Sequence, residues 1–275
     1  VKIEDYPPQE PLADYARPYH EEVQRLGAGI AYEEFAYGGD AYQGVLVARA
    51  AEPTGDVLAF IHGGGWTNGY KEWMAFMAPA LTGRGITFAS IGYRLAPGTL
   101  FPDGYTDVLD GFAALHGRIG AFGGDPGRMF VGGHSAGGHY SSLMAVTDGW
   151  QVARGLPPDV VRGCLPVSGV FEFREGSGMK VRPRFLGPAE TGAEVPASPI
   201  ANIAHTPPFL MAWGSEDFPH LRRQGEEMAA ALEAAGGSAE TMVFEGCDHF
   251  HANYEAGNPD GAWPERATAW MAEQA

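Results

Sequence analysis

The stretch Gly133-His134-Ser135-Ala136-Gly137, directly after the apolar run Met129-Phe130-Val131, limits the possible folds more than any other part of the chain. A serine at the tip of a sharp strand-to-helix turn must take up a strained backbone, and bulky residues two positions away on either side collide across that turn. Glycine removes the collision. Here it is doubled, with Gly132 and Gly133 before the serine and Gly137 and Gly138 after it. The spacing is G-x-S-x-G, which exposes a serine hydroxyl at the end of a central strand. In a chain with 40 glycines the pentapeptide alone says little. Its position between strand-forming and helix-forming residues gives it weight.

A second motif, His62-Gly63-Gly64-Gly65-Trp66, follows the apolar run Val57-Leu58-Ala59-Phe60-Ile61. Consecutive glycines let backbone N–H groups converge on one point because no side chain blocks the approach. Such a nest stabilises the oxyanion formed when a serine attacks a carbonyl, and loops of this kind accompany the G-x-S-x-G turn. His62 itself reads as a structural residue whose ring N–H pins the loop.

The rest of the chain supplies a framework for the two motifs. Residues 31–37 and 42–49 read as a strand pair turning at Gly38-Gly39-Asp40, and residues 57–61, 86–93, 129–133, 161–168, 209–213 and 241–244 as further strands. Helical segments are expected at 20–26, 73–84, 105–121, 135–146, 219–235 and 263–273. Repeated βα units imply an α/β fold with a mostly parallel central sheet and helices on both faces. The expected organisation is one domain over residues 1–275, with an N-terminal segment at 1–28 and a small cap insertion at about 171–207. The insertion breaks the rhythm with Gly, Pro and charge and carries one short helix near 198–204.

A serine nucleophile needs a base, and the base needs an orienting acid, in the chain order Ser, Asp or Glu, His. Asp217 follows the strand at 209–213, and His249 follows the strand at 241–244. Both positions lie where open α/β sheets build their sites, at strand carboxyl ends. Each has a rival: Glu216 beside Asp217, and His251 beside His249. His134 and His139 are not expected to act as the base. Trp66, Tyr140, Phe171 and Phe173 are candidate walls of a substrate pocket, with core packing as the competing reading for each.

Other chemistries lack support. His249-x-His251 with Asp248 resembles a ligand cluster, but no H-E-x-x-H and no paired C-x-x-C accompanies it, so no metal and no cofactor is expected. Gly63-Gly64-Gly65 does not continue as a dinucleotide fingerprint, because Asn68 stands at the last glycine position. A net charge of −16 argues against nucleic acid and anionic membrane surfaces as partners. No run of about 18 apolar residues is present to span a membrane. The polar N-terminus does not read as a signal peptide, and two cysteines without ligand spacing suit a reduced, cytoplasmic protein. A homodimer through an edge strand or the last helix is compatible with the pattern.

The glycine loop, the elbow, Gly92-Tyr93-Arg94-Leu95-Ala96-Pro97 and the Asp217 and His249 loops together resemble the α/β-hydrolase superfamily over about residues 29–275. Within it they are most similar to the hormone-sensitive-lipase-like branch and its kynurenine formamidase relatives. The resemblance implies an α/β-hydrolase fold, a Ser135–His249–Asp217 triad, and oxyanion donors at Gly64, Gly65 and Ala136. It gives Tyr93–Pro97 a supporting role. The chain departs from the larger lipase-like members in its short N-terminal segment and in lacking D-P-L-x-D around the acid. Asp217-Phe218-Pro219 followed by Arg222-Arg223-Gln224 looks more like the formamidase relatives. The implied reaction is acyl transfer from a small-molecule substrate, a carboxylic ester or, alternatively, an N-formyl or aryl amide. A non-catalytic binding relative would be marked by loss of the serine or histidine, and both are present.

Overall fold

The computed structural model describes residues 3–274. Eight strands form one sheet in the order β1-β2-β4-β3-β5-β6-β7-β8. β1 (Glu33–Ala36), β2 (Gly44–Ala48) and β4 (Thr87–Ile91) pair antiparallel at one end. β3 (Val57–Ile61), β5 (Met129–His134), β6 (Val161–Val167), β7 (Phe209–Gly214) and β8 (Ala239–Phe244) run parallel, and β3 also pairs parallel with β4. Every residue of β3, β4, β5 and β7 is buried. Strands covered on both faces need no polar side, which explains the predominance of apolar residues in them, with Thr87 and Ser90 of β4 and His134 of β5 as buried exceptions. The edges differ: β1 is largely exposed and β8 is exposed at Glu240, Thr241 and Val243.

Alternate residues of each strand feed two separate cores. Ala59, Ile61, Ala89, Ile91, Met129 and Val131 face one layer with Phe112 of α3 (Asp103–His116), Met144 of α4 (Ala136–Val146) and Met228 of α7 (Pro219–Ala234). Leu58, Phe60, Phe88, Phe130 and Leu165 face the other. There they meet Val23 of α1 (Arg17–Gly27), Leu81 of α2 (Ala78–Thr82), Ala252 of α8 (His249–Ala256) and Trp263 and Trp270 of α9 (Ala262–Glu273).

Several elements differ from expectation. The helix expected at 73–84 is a 3-10 helix at Lys71–Met77 that becomes α-helical only at Ala78–Thr82. Pro79 accounts for the restart, since proline suits the first turn of a helix and not its interior. The short α5 (Trp150–Ala153) was not foreseen, and the helix expected near 198–204 is α6 (Glu194–Ala197) followed by a 3-10 turn at Pro199–Ala201. No helix among the described residues is long and apolar enough to cross a membrane.

Candidate active site

β5 ends at the elbow. Ser135 has φ 55° and ψ −115°, outside the regions a serine favours, and directly caps α4. The flanking glycines are required by contact: a Cβ on Gly133 would sit 2.3 Å from the Gly137 carbonyl, and one on Gly137 would sit 1.9 Å from Ile61 O. The Ser135 N–H donates to Val167 O at 3.0 Å, which ties the turn to the end of β6.

Two loops converge on this serine. Asp217 follows β7, and His249 opens α8 instead of lying in a loop. The helix starts there because Asp248 caps it, its side chain accepting from the N–H groups of Phe250 and His251. The loops are fastened to each other: Ser215 N–H donates to Phe244 O at 3.0 Å, Glu216 N–H to Cys247 O at 2.9 Å, and Gly246 N–H to Ser215 Oγ at 2.8 Å. His249 Nδ1 lies 2.9 Å from Asp217 Oδ1, and its Nε2 lies 2.9 Å from Ser135 Oγ. Burial works to raise the Asp217 carboxyl. The hydrogen bond and charge of His249 oppose it, helped by the Ser168 hydroxyl and the Phe218 N–H, and hold the acid below its ordinary value. An ionised Asp217 accepts, so Nδ1 of His249 carries the proton and Nε2 is left to accept from the serine hydroxyl. Ser168 Oγ and Asp217 Oδ2 are both buried without a hydrogen-bond partner of regular geometry.

The rivals are set apart by burial and by direction. Glu216 is exposed, whereas Asp217 is buried. His251 pairs with Asp248 on the surface, Nδ1 to Oδ1 at 2.9 Å. His139 is enclosed in the core, taking the Trp66 indole N–H at 3.1 Å on Nδ1 and donating from Nε2 to Ala197 O at 2.7 Å. Burial drives its pKa down to about 3. His62 is likewise neutral, lowered to about 4 by burial, and its Nδ1–H donates to Gly63 O at 2.8 Å while the ring stacks on Tyr93.

The glycine loop comes beside the serine. Gly64, Gly65 and Ser135 border one cavity of about 430 Å³. No backbone or side-chain acceptor among the described residues takes the N–H of Gly64, Gly65 or Ala136. Three free donors beside a serine–imidazole pair form a site suited to a developing oxyanion.

Trp66 lines the cavity, with φ 63° and its ring stacked on Phe185 at 4.1 Å between centroids. Tyr140 and Phe171 do not line it. α4 is buried along its whole length, so Tyr140 packs inward against Tyr93 and Tyr105. Phe171 folds back over Gly169, where a Cβ would come within 2.6 Å of its ring. Phe173 is also interior, packed on His139 and Trp66. The insertion gives the cavity only Met179 and Arg184. The opposite wall, which sequence reasoning missed, comes from the N-terminal segment through Pro11, Leu12, Ala13, Tyr15, Ala16 and Tyr19. Arg184 and Glu10 bridge the two sides with an ion pair at 3.2 Å. Among the described residues, no group of three or more His, Cys, Asp or Glu is placed to hold a metal ion.

Similarity to known proteins identifies the fold and the family. Residues 58–253 match the family described as alpha/beta hydrolase fold. The chain is 41% identical over 215 residues, 70% of its length and 50% of the relative's, to a probable isoprenylcysteine alpha-carbonyl methylesterase of Oryza sativa subsp. japonica. It is 32% identical over 222 residues, 74% of its length and 55% of the relative's, to an esterase of Mycobacterium tuberculosis. The chain thus spans about half the length of the curated relatives it matches. Among solved structures, a bacterial heroin esterase superposes with a TM-score of 0.73 at 25% identity, covering 99% of this chain and 94% of that one. With the family matched from β3 through β8, over the elbow and all three converging side chains, the chain belongs to the alpha/beta hydrolase fold family.

Proposed function

We propose that this protein is a serine carboxylesterase for small esters with an apolar or aromatic acyl or alcohol group. The observation that carries the reading is the continuous relay from Asp217 Oδ1 through His249 to Ser135 Oγ, with 2.9 Å at each link, beside three free backbone donors. Ser135 Oγ attacks the ester carbonyl as its proton passes to His249 Nε2. The carbonyl π electrons move onto oxygen, and the oxyanion is held by the N–H groups of Gly64, Gly65 and Ala136. The tetrahedral intermediate then breaks its bond to the alcohol oxygen, which leaves with the proton from His249. Water attacks the acyl-serine by the same route, its proton passing through His249 back to Ser135 as the acid departs.

The cavity supports the substrate class. Leu12, Trp66, Val170, Leu221 and Phe250 give it an apolar lining, and the exposed rings of Tyr15 and Phe218 stand at its mouth. The names of the relatives, methylesterase and esterase, point to the same bond type.

The test compares turnover of p-nitrophenyl acetate, p-nitrophenyl octanoate and N-formylkynurenine by the native chain and Ser135→Ala. Ester cleavage abolished by the substitution is the expected result. Equal rates for the two proteins would remove the serine from the mechanism, and preferential cleavage of the formamide would replace the ester reading by an amidase one.

A further inference from the structure

The N-terminal segment does more than wall the cavity. The side chain of Gln9 docks on Gly69 from both sides: the Gly69 N–H donates to Oε1 at 2.9 Å, and Nε2 donates to Gly69 O at 2.9 Å. The same Nε2 reaches the Tyr42 hydroxyl at 3.0 Å. Asn68 Nδ2 donates to Glu10 O at 2.5 Å. The grip continues beyond the loop. The Tyr6 hydroxyl donates to the Glu72 carboxylate at 3.1 Å and accepts from the buried Lys71 Nζ at 2.7 Å. Its ring packs against Tyr42 and Tyr70, each at 4.8 Å between centroids. Residues 6–10 are therefore fastened by side-chain contacts to residues 68–72.

Residues 68–72 begin at the far end of the glycine loop. Gly64 O accepts the N–H groups of Thr67 at 3.2 Å and Asn68 at 3.0 Å, which closes the loop into a tight turn. Gly69 lies directly over the turn's other side, where a Cβ would stand 2.3 Å from His62 Nδ1 and 2.7 Å from Gly63 O. Only glycine fits there, and the backbone at residue 69 lies close against the His62–Gly63 peptide that leads to Gly64. A run of three glycines has little stiffness of its own, so donors on it stay aimed only if both ends are held. His62 holds the near end and Gln9 holds the far end.

We infer that Gln9 is a positioning residue for the oxyanion donors: by clamping Gly69 it keeps the N–H groups of Gly64 and Gly65 directed at the oxygen of the carbonyl attacked by Ser135. The inference rests on the esterase reading for its catalytic consequence and on geometry alone for the clamp.

Gln9→Ala tests it, with substitution of its exposed neighbour, Pro8→Ala, as the control. Three readouts are needed: hydrogen exchange of the peptide covering residues 62–70, kcat and KM for p-nitrophenyl acetate, and affinity for phenylboronic acid, which forms a tetrahedral adduct on a serine. The expected result for Gln9→Ala is exchange in 62–70 about tenfold faster, kcat lower by roughly tenfold with KM within about twofold, and boronate affinity reduced by a similar factor. Gln9→Glu keeps an acceptor for the Gly69 N–H and recovers part of each loss, and Pro8→Ala changes none of them. Unchanged exchange in 62–70 overturns the clamp. A rise in KM with kcat intact reduces Gln9 to a wall residue, and faster exchange throughout the sheet makes it a stability residue. Either result also overturns the clamp. Exchange does not depend on turnover, so a native chain that cleaves no ester refutes the esterase reading while the clamp is still judged by exchange.

Discussion

His134 donates its Nε2–H to the carbonyl oxygen of His249 at 2.9 Å, so the residue before the candidate nucleophile holds the backbone of the candidate base. A carbonyl only accepts, which fixes the His134 tautomer, and burial lowers its pKa to about 3, so the ring stays a neutral donor. The two rings lie 4.7 Å apart, and Tyr19 packs on the other side of His134. His134→Phe keeps most of the volume but leaves that buried carbonyl unpaired, at a cost of about 1–3 kcal/mol. The expected outcome is kcat lowered by about tenfold or more with little change in KM, read by steady-state kinetics beside a thermal melt.

Asp217→Asn should be far more damaging to turnover than to folding. The amide presents either the wrong charge or the wrong hydrogen-bonding group to His249 Nδ1, and the imidazolium formed during attack loses its counter-charge. A drop in kcat of about 10⁴ is expected, with substrate affinity close to native. Retention of more than about a tenth of native kcat would show that Asp217 does not orient the base.

Acid should destabilise the fold in a defined window. His62, His134 and His139 are buried and neutral, with pKa values lowered by burial to about 4, about 3 and about 3. The unfolded chain binds protons at these residues near pH 6.5, and the folded chain does not. Their contribution is complete above that value and declines as pH falls toward the folded values, by about 1.4 kcal/mol per pH unit for each histidine at the steepest. The depressed Asp217 acts in the same sense lower on the scale, its contribution being lost as pH falls through its folded value. Thermal melts between pH 7 and pH 4.5 should show a falling midpoint, and a folded His139→Gln variant should show a shallower fall. A midpoint independent of pH across that range would contradict the buried neutral rings.

Trp66 should separate packing from hydrogen bonding. Trp66→Phe keeps an aromatic ring over Phe185 but removes the donor to His139 Nδ1, at about 1–3 kcal/mol. Trp66→Ala also empties the space, at about 3–5 kcal/mol. Chemical denaturation of both variants gives the order directly.

The N-terminal wall should control substrate size. Leu12→Ala and Tyr15→Ala remove apolar surface from the cavity without touching the relay. KM should rise several-fold for the octanoyl ester, in line with about 1–3 kcal/mol per lost apolar contact at most, and stay near native for the acetyl ester. Equal effects on both esters would place these side chains outside the acyl or alcohol path.

The parts of this site that were readable in the sequence are those governed by local sterics. The elbow declared itself because only glycine fits at 133 and 137, and β3, β7 and the start of β5 did so because strands buried on both faces are written as apolar runs. Asp217 and His249 could be placed because each follows a strand whose carboxyl end faces the same crevice. What stayed hidden depends on long-range packing. Tyr140 lies one turn past the elbow, but nothing local says that α4 is enclosed on every side. The wall at residues 11–19 carries no periodic signal and gains its role only by contact with residues far along the chain. The Asp248 cap was a local signal and was available: an aspartate directly before His249 marks a helix start.

The wall facing Ser135 lies within residues 11–19, while the strands, the elbow and the relay all lie after residue 32. One side of the pocket thus comes from a stretch of chain that contributes nothing to the relay itself. Exchange of this stretch alone can retune substrate preference and leave the catalytic frame untouched, provided that Tyr6 and Gln9 travel with it and still find their hold on the turn below.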